Sequence, residues 1–159
     1  ANGYAEMAAT NVGDENKVIV QKLDIFVKMR PGSPGINLEK MSVEYASGDA
    51  EKHLTMSDSF GSRQDLLDAV DNENRTVLDS SHFAVAKIKN PSGTENYMLQ
   101  SQSDMAEIWL DPSEMEDEDG LLPSEKADIA LIPDSGFKTY ARCRAPGRMA
   151  KGGIFKLRL

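Results

Sequence analysis

Nine positions from Asp111 to Asp119 hold six carboxylates: Asp111, Glu114, Glu116, Asp117, Glu118 and Asp119. Carboxylates this crowded repel one another, and a hard cation such as Ca²⁺ or Mg²⁺ relieves the repulsion if the loop folds back on itself. The spacing is not that of an EF-hand, which needs D-x-[DN]-x-[DN]-G and a glutamate at the twelfth loop position. Two readings stay open: oxygen ligands for a cation, or a solvated loop. Nothing in the sequence requires a cofactor.

The other reactive side chains stand apart from one another. His53 and His82 have no second histidine at ligand spacing, and the surface-strand reading is preferred for both. Cys143 is the one cysteine, so an intrachain disulfide and a cysteine zinc cluster are both excluded. In the run Lys138 to Arg144 it shares a face with Thr139 and Ala141, opposite Tyr140, Arg142 and Arg144, and it is expected to be buried and inert. Asn74-Arg75-Thr76 fits the N-x-[ST] sequon, whereas Asn90-Pro91-Ser92 is excluded by its proline. The sequence contains no G-x-S-x-G, P-loop, G-x-G-x-x-G or HExxH motif, and no catalytic triad can be assembled from two histidines and one cysteine. An enzyme is not expected.

A net charge of −8 over 159 residues, with no basic patch before the C-terminal quarter, argues against binding nucleic acid. No apolar run approaches the ~20 residues of a membrane helix, and no signal peptide is expected within these residues. The chain length suits one domain. Residues 1–15 are expected to be the remnant of an N-terminal helix followed by a polar linker, and residues 16–159 a single β domain.

The elements that must position these groups show themselves as alternation. From Lys17 onward, Ile19, Gln21, Leu23, Ile25, Val27 and Met29 point one way while Lys22, Asp24 and Lys28 point the other, the period of a half-buried strand. Arg30-Pro31-Gly32-Ser33-Pro34-Gly35 forces a turn. Met41, Val43 and Tyr45 then alternate with Ser42 and Glu44, and the two runs are expected to pair. Ser47-Gly48-Asp49 predicts a hairpin with residues 51–56. Residues 62–70 predict a short crossover helix with Ser59 or Ser62 as its N-cap and Leu66, Leu67 and Val70 on one side. Further strands are expected at 82–89, 95–100, 104–110, 126–132, 137–145 and 153–159. Asn90-Pro91-Ser92-Gly93 is expected to join a hairpin, as is Pro133-Asp134-Ser135-Gly136. Ile108 and Leu110 face away from Trp109, which reads as a core anchor. The residues alone therefore reach an all-β domain of eight to nine strands with one short helix.

Two flanking blocks resemble a known family. KLDIFVKMRPGSPGINLEKMSVEYA has a strand, a Pro/Gly/Ser turn, an I-x-L and a second strand in the order found in archaellins, the archaeal flagellins. DIALIPDSGFKTYARCRAPGRMAKGGIFKLRL resembles their closing pattern, with Pro133, Gly136, Thr139, Pro146 and Ile154-Phe155-Lys156-Leu157 at the matching places. Asn2-Gly3-Tyr4 looks like the exit from the family's N-terminal helix. Cys143 and the acidic run depart from the family pattern, and the hydrophobic helix itself is absent.

The resemblance implies an Ig-like antiparallel β-sandwich on the outside of an extracellular filament, serving motility and surface attachment. It implies a homopolymer with other archaellin subunits, joined through the N-terminal helix that this chain lacks. It also makes Asn74 an N-glycosylation site and favours a cation at the acidic run. The alternative is an accessory extracellular β-sandwich module of the archaellum or cell envelope. A polysaccharide-binding protein would need an aromatic groove, and aromatics are only 6% of the chain.

Overall fold

The computed structural model describes residues 7–14, 17–48, 50–72, 76–116, 120–148 and 154–157. Their strands are β1 (Met7–Asp14), β2 (Lys17–Lys28), β3 (Ile36–Asn37), β4 (Ser42–Ser47), β5 (Ala50–Phe60), β6 (His82–Lys89), β7 (Met98–Leu99), β8 (Met105–Leu110), β9 (Lys126–Ile132), β10 (Thr139–Arg144) and β11 (Ile154–Leu157). Helix α1 (Arg63–Val70) follows β5, a one-turn α2 (Pro112–Met115) follows β8, and a 3₁₀ turn spans Leu38–Lys40. Nine strands form one sheet in the order β10-β9-β4-β5-β6-β8-β2-β1-β11, and β3 pairs with β7 beside it.

The sheet rolls on itself into a sandwich. Cys143, from one edge, and Val20, Leu23 and Ile25, from near the other, belong to a single apolar cluster with Val43, Tyr45, Leu54, Phe83, Val85, Ile108 and Ile129. Removing a buried aliphatic side chain from such a core costs roughly 2–5 kcal/mol. The opposite face carries a smaller cluster, in which Leu66 and Ala69 of α1 cover Ala84, Ala86 and Trp109. Trp109 is thus the core anchor expected of it, on the face away from Ile108 and Leu110.

Helix α1 begins where the sequence places it: the Ser62 side chain caps the Asp65 N–H. It is also a crossover, because β5 and β6 on either side of it run parallel. That pair corrects the expectation of a wholly antiparallel sheet. Parallel neighbours cannot be joined by a tight turn, so the chain must leave the sheet and return. The hairpins β4–β5 and β9–β10 form as expected.

Three other expectations are corrected. Strand β2 pairs with β1 and β8, not with β4, although the proline- and glycine-rich turn follows it directly. The chain from residue 29 to 41 crosses over the end of the rolled sheet, with β3 and the 3₁₀ turn on the way. Residues 95–100 give only the two-residue β7 and pair with β3, while β6 lies between β5 and β8. Met7–Asp14, expected as helix remnant and linker, is a strand between β2 and β11. Residues 1–6, including Asn2-Gly3-Tyr4, lie outside the described residues.

A bulge also shifts the alternation of β2. The pairing steps from Thr10–Lys22 to Asn11–Val20, leaving Gln21 as an extra residue. An inserted residue reverses the faces beyond it. Val20, fully buried, therefore joins Leu23 in the core where strict alternation puts Ile19 and Gln21.

Strand directions give the domain two ends. Connections 29–41, 90–104 and 133–138 lie at one end. The β4–β5 turn at Gly48 and the α2–β9 connection lie at the other.

Candidate functional site

The acidic run is divided by the fold, not gathered. Asp111 caps α2, accepting from the Ser113 N–H at 3.1 Å, and it also accepts from Lys22 Nζ at 3.1 Å. Pro112 favours this start because its fixed φ suits the first helical position and its missing N–H is not needed there. Glu116 turns inward, accepting from Tyr45 Oη at 2.6 Å and from Ser47 Oγ. Glu114 is exposed, and Asp117, Glu118 and Asp119 lie outside the described residues. Among the described residues, no group of three or more His, Cys, Asp or Glu side chains is placed to hold a metal ion.

Both stems of this loop are anchored. On the near side Tyr45 is wholly buried, and burial, reinforced by the Glu116 carboxylate, pushes its hydroxyl pKa far above the ordinary tyrosine range. On the far side the Val20 N–H donates to the Leu121 carbonyl at 2.8 Å, and the Leu121 N–H returns the bond at 3.0 Å. Gly120 sits at φ +143°, where a Cβ would lie 2.3 Å from the Val20 oxygen. Only glycine fits there.

Three further buried charges, Glu107, Asp104 and Lys87, fix a helix and a connection. Glu107, with no exposure, accepts from Arg63 Nε at 2.8 Å and from Trp109 Nε1 at 2.8 Å. The Arg63 guanidinium lies 5.7 Å from the Phe26 ring centroid, so α1 is tied to the sheet by charge as well as by its leucines. Asp104, also without exposure, accepts from Ser92 Oγ at 2.6 Å, the Gln100 N–H at 3.0 Å and the Ser101 N–H at 3.1 Å. Burial works to raise its pKa, but these hydrogen bonds prevail and hold it at about 2. Lys87, 2% exposed, donates to Thr94 Oγ1 at 2.7 Å and the Glu95 carbonyl at 2.9 Å. Together these groups shape the 90–104 connection.

The remaining sequence candidates are placed singly. His53 is exposed, with Nδ1 3.8 Å from Glu44. His82 contacts Asp79 at 2.9 Å beside the α1–β6 connection. Cys143 is fully buried, and burial pushes its thiol pKa up to about 11, in keeping with an inert core residue. Asn74 lies outside the described residues. Arg142, one of the C-terminal basic residues, is bonded to Asp128 opposite it on β9 at 2.6 Å.

A groove at the other end of the domain was not anticipated from the sequence. Val27, Ile36, Leu99, Leu131, Pro133 and Phe137 line an apolar recess of about 70 Å³. It adjoins a depression of about 260 Å³ between residues 28–36 and 133–137, lined in part by Lys28 and Arg30. Phe137 is 87% exposed at its lip, and Tyr140 nearby is 73% exposed. Lys138 Nζ bonds Glu44 at 2.9 Å and lies 5.4 Å from the Tyr140 ring centroid. A phenylalanine placed directly after the turn sequence Pro133-Asp134-Ser135-Gly136 was the available signal, since a turn gives such a ring little to pack on.

The sandwich is similar to that of archaeal flagellins, and the sequence agrees with the fold. No protein-family model matches the chain. Flagellin A2 of Haloferax volcanii is 26% identical over 148 residues, covering 87% of this chain and 64% of that protein's length. The archaeal flagellin FlaB1 of Methanocaldococcus jannaschii superposes with a TM-score of 0.78 at 16% identity, covering 96% of this chain and 94% of the other. A subunit of the archaeal flagellum of Methanospirillum hungatei gives a TM-score of 0.53 at 12% identity, covering 93% and 66%. These likenesses support an archaellin. The chain spans just under two thirds of the length of the curated relative. Among the described residues, no helix is long and apolar enough to cross a membrane.

Proposed function

We propose that this chain is the outer β domain of a structural subunit of the archaellum filament, extracellular, and serving swimming and surface attachment. The observation that carries the reading is the sequence similarity to a flagellin over most of the chain, joined to the flagellin fold. Polymerisation runs through a hydrophobic N-terminal helix outside these residues, and β1 belongs to the same domain as the strands that follow it. The chain performs no chemistry of its own. Among the described residues, Glu107, Asp104, Lys87 and Asp111 are each engaged by hydrogen bonds that fix a helix or a connection.

The accessory-module reading lacks a comparable likeness. Deleting the gene in the host separates the two. A filament subunit leaves cells without filaments or with shortened ones, and antibodies against this chain decorate the filament wall in electron micrographs. Full-length filaments without decoration would reject the proposal. Two modifications of the surface belong to the same reading. A glycan at Asn74 appears as a mass increment that Asn74→Gln abolishes, and a cation at the acidic run appears as heat on titration with Ca²⁺.

A further inference from the structure

Lys87 is 2% exposed, and a lysine is almost never buried to that degree without partners. Its ammonium has three N–H donors, and three oxygens converge on it: Thr94 Oγ1 at 2.7 Å, the Glu95 carbonyl at 2.9 Å and the Thr94 carbonyl at 3.3 Å. All three are uncharged. The cage they form is held from outside, because Asn90 Nδ2 donates to the Thr94 carbonyl at 2.9 Å and the Met98 N–H donates to the Glu95 carbonyl at 2.9 Å. Negative charge reaches it through hydroxyls. Thr94 Oγ1 lies 3.1 Å from Ser92 Oγ, which donates to the buried Asp104 carboxylate at 2.6 Å.

We propose that the 90–104 connection is a binding cage for a primary ammonium, which the chain fills with its own Lys87. Oxygen dipoles aimed at one point repel one another, and a cation at that point holds them together by replacing its hydration shell with theirs. The lysine is the ligand around which the connection folds. Carrying that ligand on a tether from β6 gives it a high effective concentration, so the cage stays filled without any ion from solution. The cage also sets one wall of the groove, because β7 follows it directly: Leu99 lines the apolar recess, and the Tyr97 carbonyl accepts from the Leu38 N–H at 2.7 Å. The assignment is independent of what the subunit assembles into.

Chemical rescue tests it. Lys87→Ala removes Cγ, Cδ, Cε and Nζ, so n-propylammonium is the missing piece of the side chain. The variant is expected to melt roughly 5–15 °C below the natural chain. n-Propylammonium chloride should then raise the variant's Tm by several degrees more than it raises that of the natural chain. n-Propanol, with the same stem and no charge, and tetramethylammonium, too large for the cage, should not. Amide exchange reads the place: the Leu38, Gln100 and Ser101 N–H groups should lose protection in the variant and regain it with n-propylammonium. Equal rescue by n-propanol, or rescue by neither, overturns the proposal. If Lys87→Ala does not fold, Lys87→Met decides, since it keeps a stem without the charge. A Tm equal to that of the natural chain overturns the proposal, and a lowered Tm with the same three amides unprotected upholds it.

Discussion

Tyr45 and Glu116, 71 positions apart, meet through a 2.6 Å hydrogen bond that joins the inner face of β4 to the start of the acidic loop. The ring belongs to the core and the hydroxyl belongs to the loop.

Tyr45→Phe keeps the ring and removes the bond, leaving Glu116 with Ser47. A loss of about 1–2 kcal/mol is expected, as a shift of the denaturant midpoint at unchanged slope. The pH dependence follows from the raised pKa. Stability from the neutral hydroxyl is complete below the ~10 of an unfolded tyrosine and is lost as pH rises above it. Ultraviolet difference titration of the native protein should therefore show one of the four tyrosines failing to ionise with the others.

Asp104 behaves in the opposite sense. Its folded pKa of about 2 lies below the ~3.9 of an unfolded aspartate, so its contribution is present above that value and lost as pH falls toward 2. The shift corresponds to roughly 2–3 kcal/mol. Asp104→Ala should cost about that much at neutral pH and flatten the acid limb of the stability profile. An unchanged acid limb would show that the carboxylate is not the group responsible.

Glu107 depends on a helix. Arg63→Ala leaves the buried Glu107 carboxylate without its guanidinium partner while Trp109 Nε1 still donates to it, and a loss of roughly 2–3 kcal/mol is expected, moderated by the exposure of Arg63. Tryptophan fluorescence should shift with it, since Trp109 is the single tryptophan and shares the carboxylate. Glu107→Gln should be milder, because the amide oxygen still accepts from the indole.

Gly120→Ala should be among the most damaging single-methyl changes in the chain. The added carbon would lie 2.3 Å from the Val20 oxygen, so the Val20–Leu121 bonds must break or the loop must move. A loss of about 3 kcal/mol or more is expected by chemical denaturation. Gly32→Ala, at φ +77° with open space around it, should cost only about 1 kcal/mol.

The strands were legible in the sequence wherever one face is buried, as in β4 and β10, because period-2 alternation is what burial of one face imposes. Partners were legible only across short turns. The emphatic 30–35 turn misleads because its chemistry says that the chain bends, not where the following strand goes. Strand β1 was invisible: MAATNVGD has little β-branched content, and its pairing with β2 and β11 decides its state. The Gln21 bulge was invisible for the same reason, since only the partner reveals an extra residue. Within the site, composition exposed the acidic run, yet not its division. Glu116 differs from Glu114 only in having Tyr45 and Ser47 opposite it, a relation made by the fold. Asp104 and Glu107 look like ordinary strand-edge acids until the backbone N–H groups and Arg63 close on them.

The double anchoring of the acidic loop separates two kinds of evolutionary freedom. Up to Glu116 and again from Gly120, substitutions are read by the core through Tyr45 and Val20. Between these positions only residues 117–119 intervene, and a guest peptide spliced there would inherit fixed ends without disturbing the barrel beneath. A change of length between Glu116 and Gly120 would therefore be taken up between two fixed points, leaving the packing around Tyr45 and Val20 as it is.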